Sequence, residues 1–277
     1  MKYKIIVDSS SNLLSNYIKD DEIGFEVVPL TIRVGDNVFI DNDLLNIDKM
    51  LEVMEKSSSK STSACPSPFE FENSIKEASN SIIITISSKL SGCYNSAVLA
   101  SKSFENTDKN VLVLDSKATA GTMILLVDKA YELMKKDIPW DEFVKAMNEY
   151  RDSLELLFVL NKYDNLVKNG RMSKAVAFIA KALIIKPLCV ANNGEIKIQE
   201  KVRTFKGVLK RLVFNIGVLV KNTEDRICVI CHTRNKDDAN YLKEMISSHY
   251  KFKDVRVVEN RGLCAFYAED KGLIVSF

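Results

Sequence analysis

Four short runs in the first half of the chain leave no face for water. "YKIIV" (3–7), "FEVVPLTIRV" (25–34), "SIIITI" (81–86) and "NVLVLD" (110–115) are apolar almost throughout. A strand with one wet face alternates polar and apolar residues, whereas a run apolar on both faces must be covered on both. Between these runs, "LLSNYIKD", "IDKMLEVMEKS", "SPFEFENSIKEAS", "NSAVLASKSF" and "GTMILLVDKAYELMKK" carry apolar residues at helical spacing. Strands of this kind alternating with helices predict an α/β fold with a parallel sheet between helices.

The pattern changes after Pro139-Trp140-Asp141 and the helical segment "DEFVKAMNEYR". "LELLFVL" (154–160) reads as a strand, "SKAVAFIAKAL" as a helix and "IIKPLCVA" as a further strand. Asn192-Asn193-Gly194 reads as a tight hairpin turn into "EIKIQEKV", which alternates with period two. Helix "FKGVLKRLVFNIGVLVK", strand "ICVICH", helix "DDANYLKEMISSHY" and strands "DVRVVE" and "GLIVSF" complete the chain. Hairpins mixed with helices predict an α+β second domain. The expected division is 1–155 for the α/β domain and 156–277 for the α+β domain.

Length and charge narrow the function. At 277 residues the chain accommodates two domains. Lys and Arg total 39 against 37 Asp and Glu, a net charge of +2. That balance supplies no field to hold nucleic acid or an anionic membrane. "AVAFIAKALIIKPLCVA" (175–191) is the most apolar segment, but Lys181, Lys186 and Pro187 interrupt it, so no membrane span is expected. The first apolar core, Ile5 to Val7, is too short for a signal peptide, and a cytosolic protein is expected. The six cysteines lack framework spacing and read as free thiols. "CVICH" matches a haem-attachment pattern, but on a strand Cys228 and Cys231 point to opposite faces. The two histidines, His232 and His249, have no metal-ligand spacing, and no metal or cofactor is expected.

Chemistry-bearing residues gather in four polar loops: Asp8-Ser9-Ser10-Ser11-Asn12, Ser61-Thr62-Ser63 before Cys65-Pro66-Ser67-Pro68, Ser87 to Ser96, and Asp115-Ser116-Lys117 to Gly121-Thr122. In an open parallel sheet, loops beyond the carboxyl ends of the strands share one crevice. Helices starting there offer free N–H groups to an anion. Helix capping accounts for Ser11, Ser67 and Ser91. It leaves the three hydroxyls in each of three loops unexplained. In "LVKNGRMSKA", the Asn169-Gly170 turn presents Arg171, whose planar fork suits a carboxylate, a phosphate or a surface ion pair. Arg203 and Thr204 start a later helix. There is no GxSxG elbow, Walker loop or GxGxxG. The residues alone describe a neutral, hydroxyl-lined anion cradle without naming its occupant.

Eight stretches, in order along nearly the whole chain, resemble the DegV family of bacterial fatty-acid-binding proteins. They are "IIVDSSSNL", "VVPLTIRVGDNVFIDND", "TSACPSP", "ISSKLSGCYNSA", "LDSKATAG", "LVKNGRMS", "IKPLCVANNGEIKIQEKVRT" and "GLIVSF". The resemblance implies a two-domain α/β protein with a long-chain fatty acid buried in a tunnel between the domains. It implies that hydroxyls and an arginine hold the carboxylate, and that the protein presents the acyl chain to a separate fatty acid kinase subunit without being the catalyst. The implied ligand-binding residues are Thr62, Ser63, Ser91, Arg171 and Tyr267, with Arg203 on the partner or phosphate side and no catalytic residue. Apolar residues of "AVAFIAKALII" and of the helix near "YNSAVLA" are expected along the acyl chain.

The sequence departs from the family pattern twice. Cys93 replaces a threonine after the Ser-Gly pair and is a weaker donor. Tyr267 stands where the family carries a histidine, and Glu269-Asp270-Lys271 replaces a Gly-Pro-Gly turn. Two other readings remain at this stage. One is an enzyme acting on a small acyl or phosphorylated substrate, with a nucleophile near His232. The other is a degenerate family member that senses a ligand.

Overall fold

The computed structural model describes residues 1–172 and 185–277. The helix expected over "SKAVAFIAKAL" and the tunnel lining expected from "AVAFIAKALII" fall on residues 173–184, outside the described residues. Along the chain, β1 (Tyr3–Asp8) leads to β2 (Ile23–Val28), β3 (Thr31–Val34), β4 (Asn37–Ile40) and α1 (Ile47–Lys56). Then come β5 (Ser61–Ala64), α2 (Pro68–Ile75), β6 (Asn80–Thr85), α3 (Cys93–Ser101), β7 (Asn110–Asp115), α4 (Gly121–Lys135) and α5 (Trp140–Ser153). The second half runs β8 (Leu156–Val159), α6 (Asp164–Lys168), β9 (Lys186–Asn192), β10 (Glu195–Val202) and α7 (Phe205–Leu219). It ends with β11 (Ile227–His232), α8 (Lys236–His249), β12 (Asp254–Glu259), α9 (Gly262–Ala268) and β13 (Leu273–Ser276).

The first sheet has the order β2-β1-β6-β7 and is parallel throughout. Side-chain alternation divides its two faces. Ile6 and Ile83 pack against Phe71 and Ile75 of α2 and Ala97 and Ala100 of α3. Ile5, Val7, Ile82 and Ile84 face the middle of the molecule with Met123, Leu126 and Val127 of α4. Each such side chain, fully buried, contributes roughly 1.5–3 kcal/mol. The helix near "YNSAVLA" therefore packs behind the sheet, because Ala97 and Ala100 occupy its inner face.

The second sheet has the order β10-β9-β8-β13-β11-β12, with only β11 and β12 parallel. All of its strands lie from Leu156 onward. Its front face (Leu156, Phe158, Cys189, Val229, Cys231 and Ile274) joins the same central core as the first sheet. Its back face (Leu157, Val159, Leu188, Cys228, Ile230 and Val275) is covered by α7 and α8. Cys228 and Cys231 thus point into different cores. The turn at Asn193 (φ 48) and Gly194 (φ 85) puts both central residues in the left-handed region, as a two-residue hairpin requires. Among the described residues, no helix is long and apolar enough to cross a membrane.

Three local readings are corrected. The run 25–34 is two strands, because Pro29 has no N–H to continue a ladder. β2 stays in the parallel sheet, while β3 turns into a small antiparallel sheet of order β4-β3-β5. Ser61-Thr62-Ser63 forms β5 of that sheet instead of a loop. "LLSNYIKD" forms turns, and a single 3-10 turn at Ser9–Ser11 precedes it. The segment "GLCAFYA" is helix α9, buried at all positions except Tyr267.

Helix α9 fastens the two halves together. The Leu263 N–H donates to Asp41 Oδ2 at 2.8 Å, and the Arg261 N–H to Asn12 Oδ1 at 2.9 Å. Asn12 Nδ2 donates to Asn260 Oδ1 at 2.9 Å, and Cys264 Sγ reaches Ser10 O at 3.1 Å. The Asp41 carboxylate lies directly over Gly262, where a Cβ would sit 1.7 Å from Oδ1. Gly262→Ala is therefore expected to cost about 3 kcal/mol or more, because backbone and a buried carboxylate must both move. Urea denaturation of the variant against wild type measures this, and a midpoint within error of wild type contradicts it.

Candidate functional site

Between the carboxyl ends of the first sheet and the front of the second lies a cavity of about 800 Å³, its mouth included. Ile86, Leu90 and Ala118 line it from the loops after β6 and β7. Leu156, Phe158, Ile196 and Ile274 line it from the second sheet, and Leu263 and Ala268 from α9. Polar groups collect where Ser63, Ser91, Arg171 and Tyr267 meet. Four of the residues expected from the sequence are thus brought together from four separate segments.

Each is held by a local reason. Ser61 is buried and Ser63 lines the cavity, so β5 turns both inward; strand alternation directs Thr62 to the other face. Thr62, expected in the cradle, is not among the residues that line the cavity. Ser63 Oγ and the Tyr267 hydroxyl are 2.9 Å apart, and Phe266 packs edge-on against the Tyr267 ring. Ser91 follows a turn built by Ser87, whose carbonyl accepts from the N–H groups of Leu90 (2.9 Å) and Ser91 (3.1 Å). The Ser87 hydroxyl donates to Gly194 O at 2.8 Å across the cavity rim.

Arg171 is positioned by α6. The N–H groups of Arg171 (2.7 Å) and Met172 (3.1 Å) both donate to Leu166 O, and Gly170 takes φ 73 to allow the turn. Its Nε donates to Leu90 O at 2.8 Å and its Nη1 to Asn169 O at 2.5 Å. Among the described residues no carboxylate pairs with it. A guanidinium in the wall of a mostly apolar cavity is a ready partner for an anion. Glu269 sets the start of α6: its Oε1 accepts the Asn165 N–H at 3.1 Å, and Asn165 Nδ2 donates to Phe266 O at 2.9 Å. Burial raises the Glu269 carboxyl above its ordinary range, with the Asn165 N–H opposing.

The first polar loop plays another part. Ser9, Ser10 and Ser11 are buried and absent from the cavity wall. Asp8 accepts from Ser10 N (3.0 Å), Ser10 Oγ (2.5 Å) and Ile86 N (2.7 Å), bracing the loop that carries Ser91. Its burial raises its pKa, which these hydrogen bonds oppose. Cys93 sits behind Ser91, whose hydroxyl reaches Sγ at 3.2 Å, and burial followed by the nearby Asp8 charge pushes the thiol up. Cys93 therefore supports the cradle without lining it.

Arg203 is exposed and away from the cavity. His232 lies at the end of β11, outside the cavity wall. The Asn235 N–H approaches its Nδ1 at 3.4 Å, and no described hydroxyl or thiol hydrogen-bonds to it. Burial lowers its pKa. Among the described residues no cluster of His, Cys, Asp or Glu is placed to hold a metal ion.

The molecule so described is a three-sheet α/β protein with a mostly apolar cavity, where Arg171 stands close to the hydroxyls of Ser63, Ser91 and Tyr267. The chain belongs to the DegV family. The family match, described as uncharacterised DegV proteins, covers residues 2–276. A DegV domain-containing protein of Streptococcus pyogenes serotype M1 is 37% identical over 280 residues, covering 100% of this chain and 99% of the relative. The fatty acid kinase B3 protein of Streptococcus pneumoniae, solved loaded with linoleic acid, superimposes with TM-score 0.94 at 34% identity, covering 100% of this chain and 99% of the other. A DegV family protein from Eubacterium eligens, loaded with heptadecanoic acid, gives TM-score 0.91 at 30% identity over 99% and 98%.

Burial raises the pKa of Asp41 to about 6, with the Leu263 N–H as the main opposing influence. A folded value above the ordinary carboxylate range means protonation favours the folded state. Its contribution to stability is then greatest below about pH 4 and is lost as pH rises through about 6. Asp41→Asn keeps an acceptor for Leu263 without the charge. Its stability relative to wild type should rise by up to about 3 kcal/mol between pH 4 and pH 8. Urea midpoints at the two pH values measure this, and a constant difference contradicts it.

Proposed function

We propose that this protein binds a long-chain fatty acid with its acyl chain in the central cavity and its carboxylate at Arg171, Ser63, Ser91 and Tyr267. The carrying observation is Arg171, which pairs with no carboxylate among the described residues, beside the hydroxyls of a mostly apolar cavity. A buried carboxylate is costly unless paired and hydrogen-bonded, and this group of side chains supplies both kinds of contact. The fatty-acid-loaded relatives support the same reading.

In this proposal the chain is a cytosolic carrier, not a catalyst, and a division near residue 155 sets its two units on either side of the cavity. It presents the carboxylate to a fatty acid kinase subunit. Arg203, exposed at the start of α7, belongs to the partner-facing side. The lack of a hydroxyl or thiol bonded to His232 among the described residues weighs against the acyl-enzyme alternative.

Native mass spectrometry of the purified protein should find a retained long-chain carboxylic acid. Protein without lipid that also takes up no added fatty acid would refute the reading. Arg171→Ala should weaken fatty-acid binding about a hundredfold, equivalent to about 3 kcal/mol, with Arg171→Lys intermediate. Unchanged affinity removes Arg171 from the site. Arg203→Ala should leave fatty-acid affinity unchanged and lower acyl-phosphate formation when a kinase subunit and ATP are added. Weakened fatty-acid binding instead would place Arg203 in the cradle.

A further inference from the structure

The cavity has a second end, and its construction bears on which acyl chains fit. A length limit of this kind presupposes the fatty-acid binding proposed above. Strand β8 runs along the cavity. Leu160, just past its end, donates its N–H to the Tyr163 hydroxyl at 3.2 Å and leads into α6, whose Leu166 carbonyl holds the Arg171 N–H; Phe158 and Leu156 lie further back on the same face of the strand. Four residues of strand span about 13 Å. At Leu156 the cavity meets a separate open cleft whose lining includes Arg151, Asp152, Glu155, Asn192, Asn193 and Gln199. Lys117, Ala118, Leu156 and Ala191 line both spaces.

Lys117 is the charged residue in this shared wall. Its backbone is left-handed (φ 53), and its N–H donates to Asp115 Oδ1 at 2.8 Å. Its Nζ pairs with Asp152 Oδ1 at 2.7 Å, and Arg151 holds Asp152 through Nε (2.9 Å) and Nη2 (2.8 Å). The aliphatic stem is thereby stretched from the loop after β7 to the end of α5. We propose that the Lys117 side chain, pinned by Asp152, is the stop for the methyl end of the bound acyl chain and sets its upper length. A longer chain would have to displace the stem, break the ion pair and place methylenes in a polar cleft, where they gain no burial.

The pair is roughly half exposed, with side chains 40% and 50% accessible, so it contributes little to stability and its removal leaves the fold intact. Glycine suits the left-handed backbone at 117. Delipidated wild type, Lys117→Gly and Asp152→Asn are titrated with straight-chain saturated acids of sixteen to twenty-two carbons. Wild-type affinity should fall once the chain outgrows the cavity. In Lys117→Gly the affinity for the longest acid relative to the sixteen-carbon acid should rise about tenfold. Asp152→Asn, which frees the stem without removing it, should move the same way by less. Sixteen-carbon binding should stay within about threefold of wild type throughout. An unchanged ratio in both variants, with the sixteen-carbon acid still bound, overturns Lys117 as the stop. If wild type binds none of the acids, the fatty-acid reading falls and this inference with it.

Discussion

The hydrogen bond from the Leu263 N–H to the buried Asp41 carboxylate fixes the start of α9, and α9 organises the centre of the molecule. The carboxylate approaches closely only because Gly262 has no side chain. From that anchor α9 delivers Leu263, Cys264, Tyr267 and Ala268 to the cavity wall. Its continuation delivers Glu269 to the first N–H groups of α6. Helix α6 in turn sets the turn that carries Arg171. A carboxylate in the first half of the chain thus determines, through two short helices of the second half, where a cation stands.

The layers were readable because burial on two faces leaves a simple mark. "SIIITI" and "NVLVLD" have no polar side, and the parallel sheet follows from that. The same logic separates Cys228 from Cys231. Ser91 and Arg171 were readable from local turn chemistry beside a strand end. What escaped depended on contacts distant in sequence. "GLCAFYA" shows no amphipathic stripe, because almost every position is buried, so nothing marks it as a helix. The hydroxyls of Asp8–Asn12 looked equivalent to those near Ser91. They differ only because Asn260, Arg261 and Cys264 occupy the space beyond them. Thr62, expected in the cradle, does not line the cavity for a reason legible in the sequence: period-two alternation turns only one of two neighbouring hydroxyls inward.

The two departures from the family pattern have unequal structural weight. Cys93 lies behind the cradle, touching Ser91 and the region of Asp8, and affects any ligand only through Ser91. Tyr267 stands in the wall itself, bonded to Ser63. A phenol both donates and accepts, so it joins a hydroxyl chain. Arg171 is then the cation of this polar cluster. The Glu269-Asp270-Lys271 turn follows a different route from glycine-based turns: Glu269 and Lys271 take positive φ (53 and 66) directly. Glu269 gives in exchange a carboxylate that holds α6.

Strand β11 meets two unlike environments within six residues. Val229 and Cys231 belong to the central core beside the cavity, while Cys228 and Ile230 belong to the core under α7 and α8. The second sheet is therefore a partition as much as a layer. Substitutions on its rear can reshape the outer helices, and whatever recognises them, while the chamber in front keeps its dimensions. What the protein holds and what it is recognised by are in this way open to independent change in sequence.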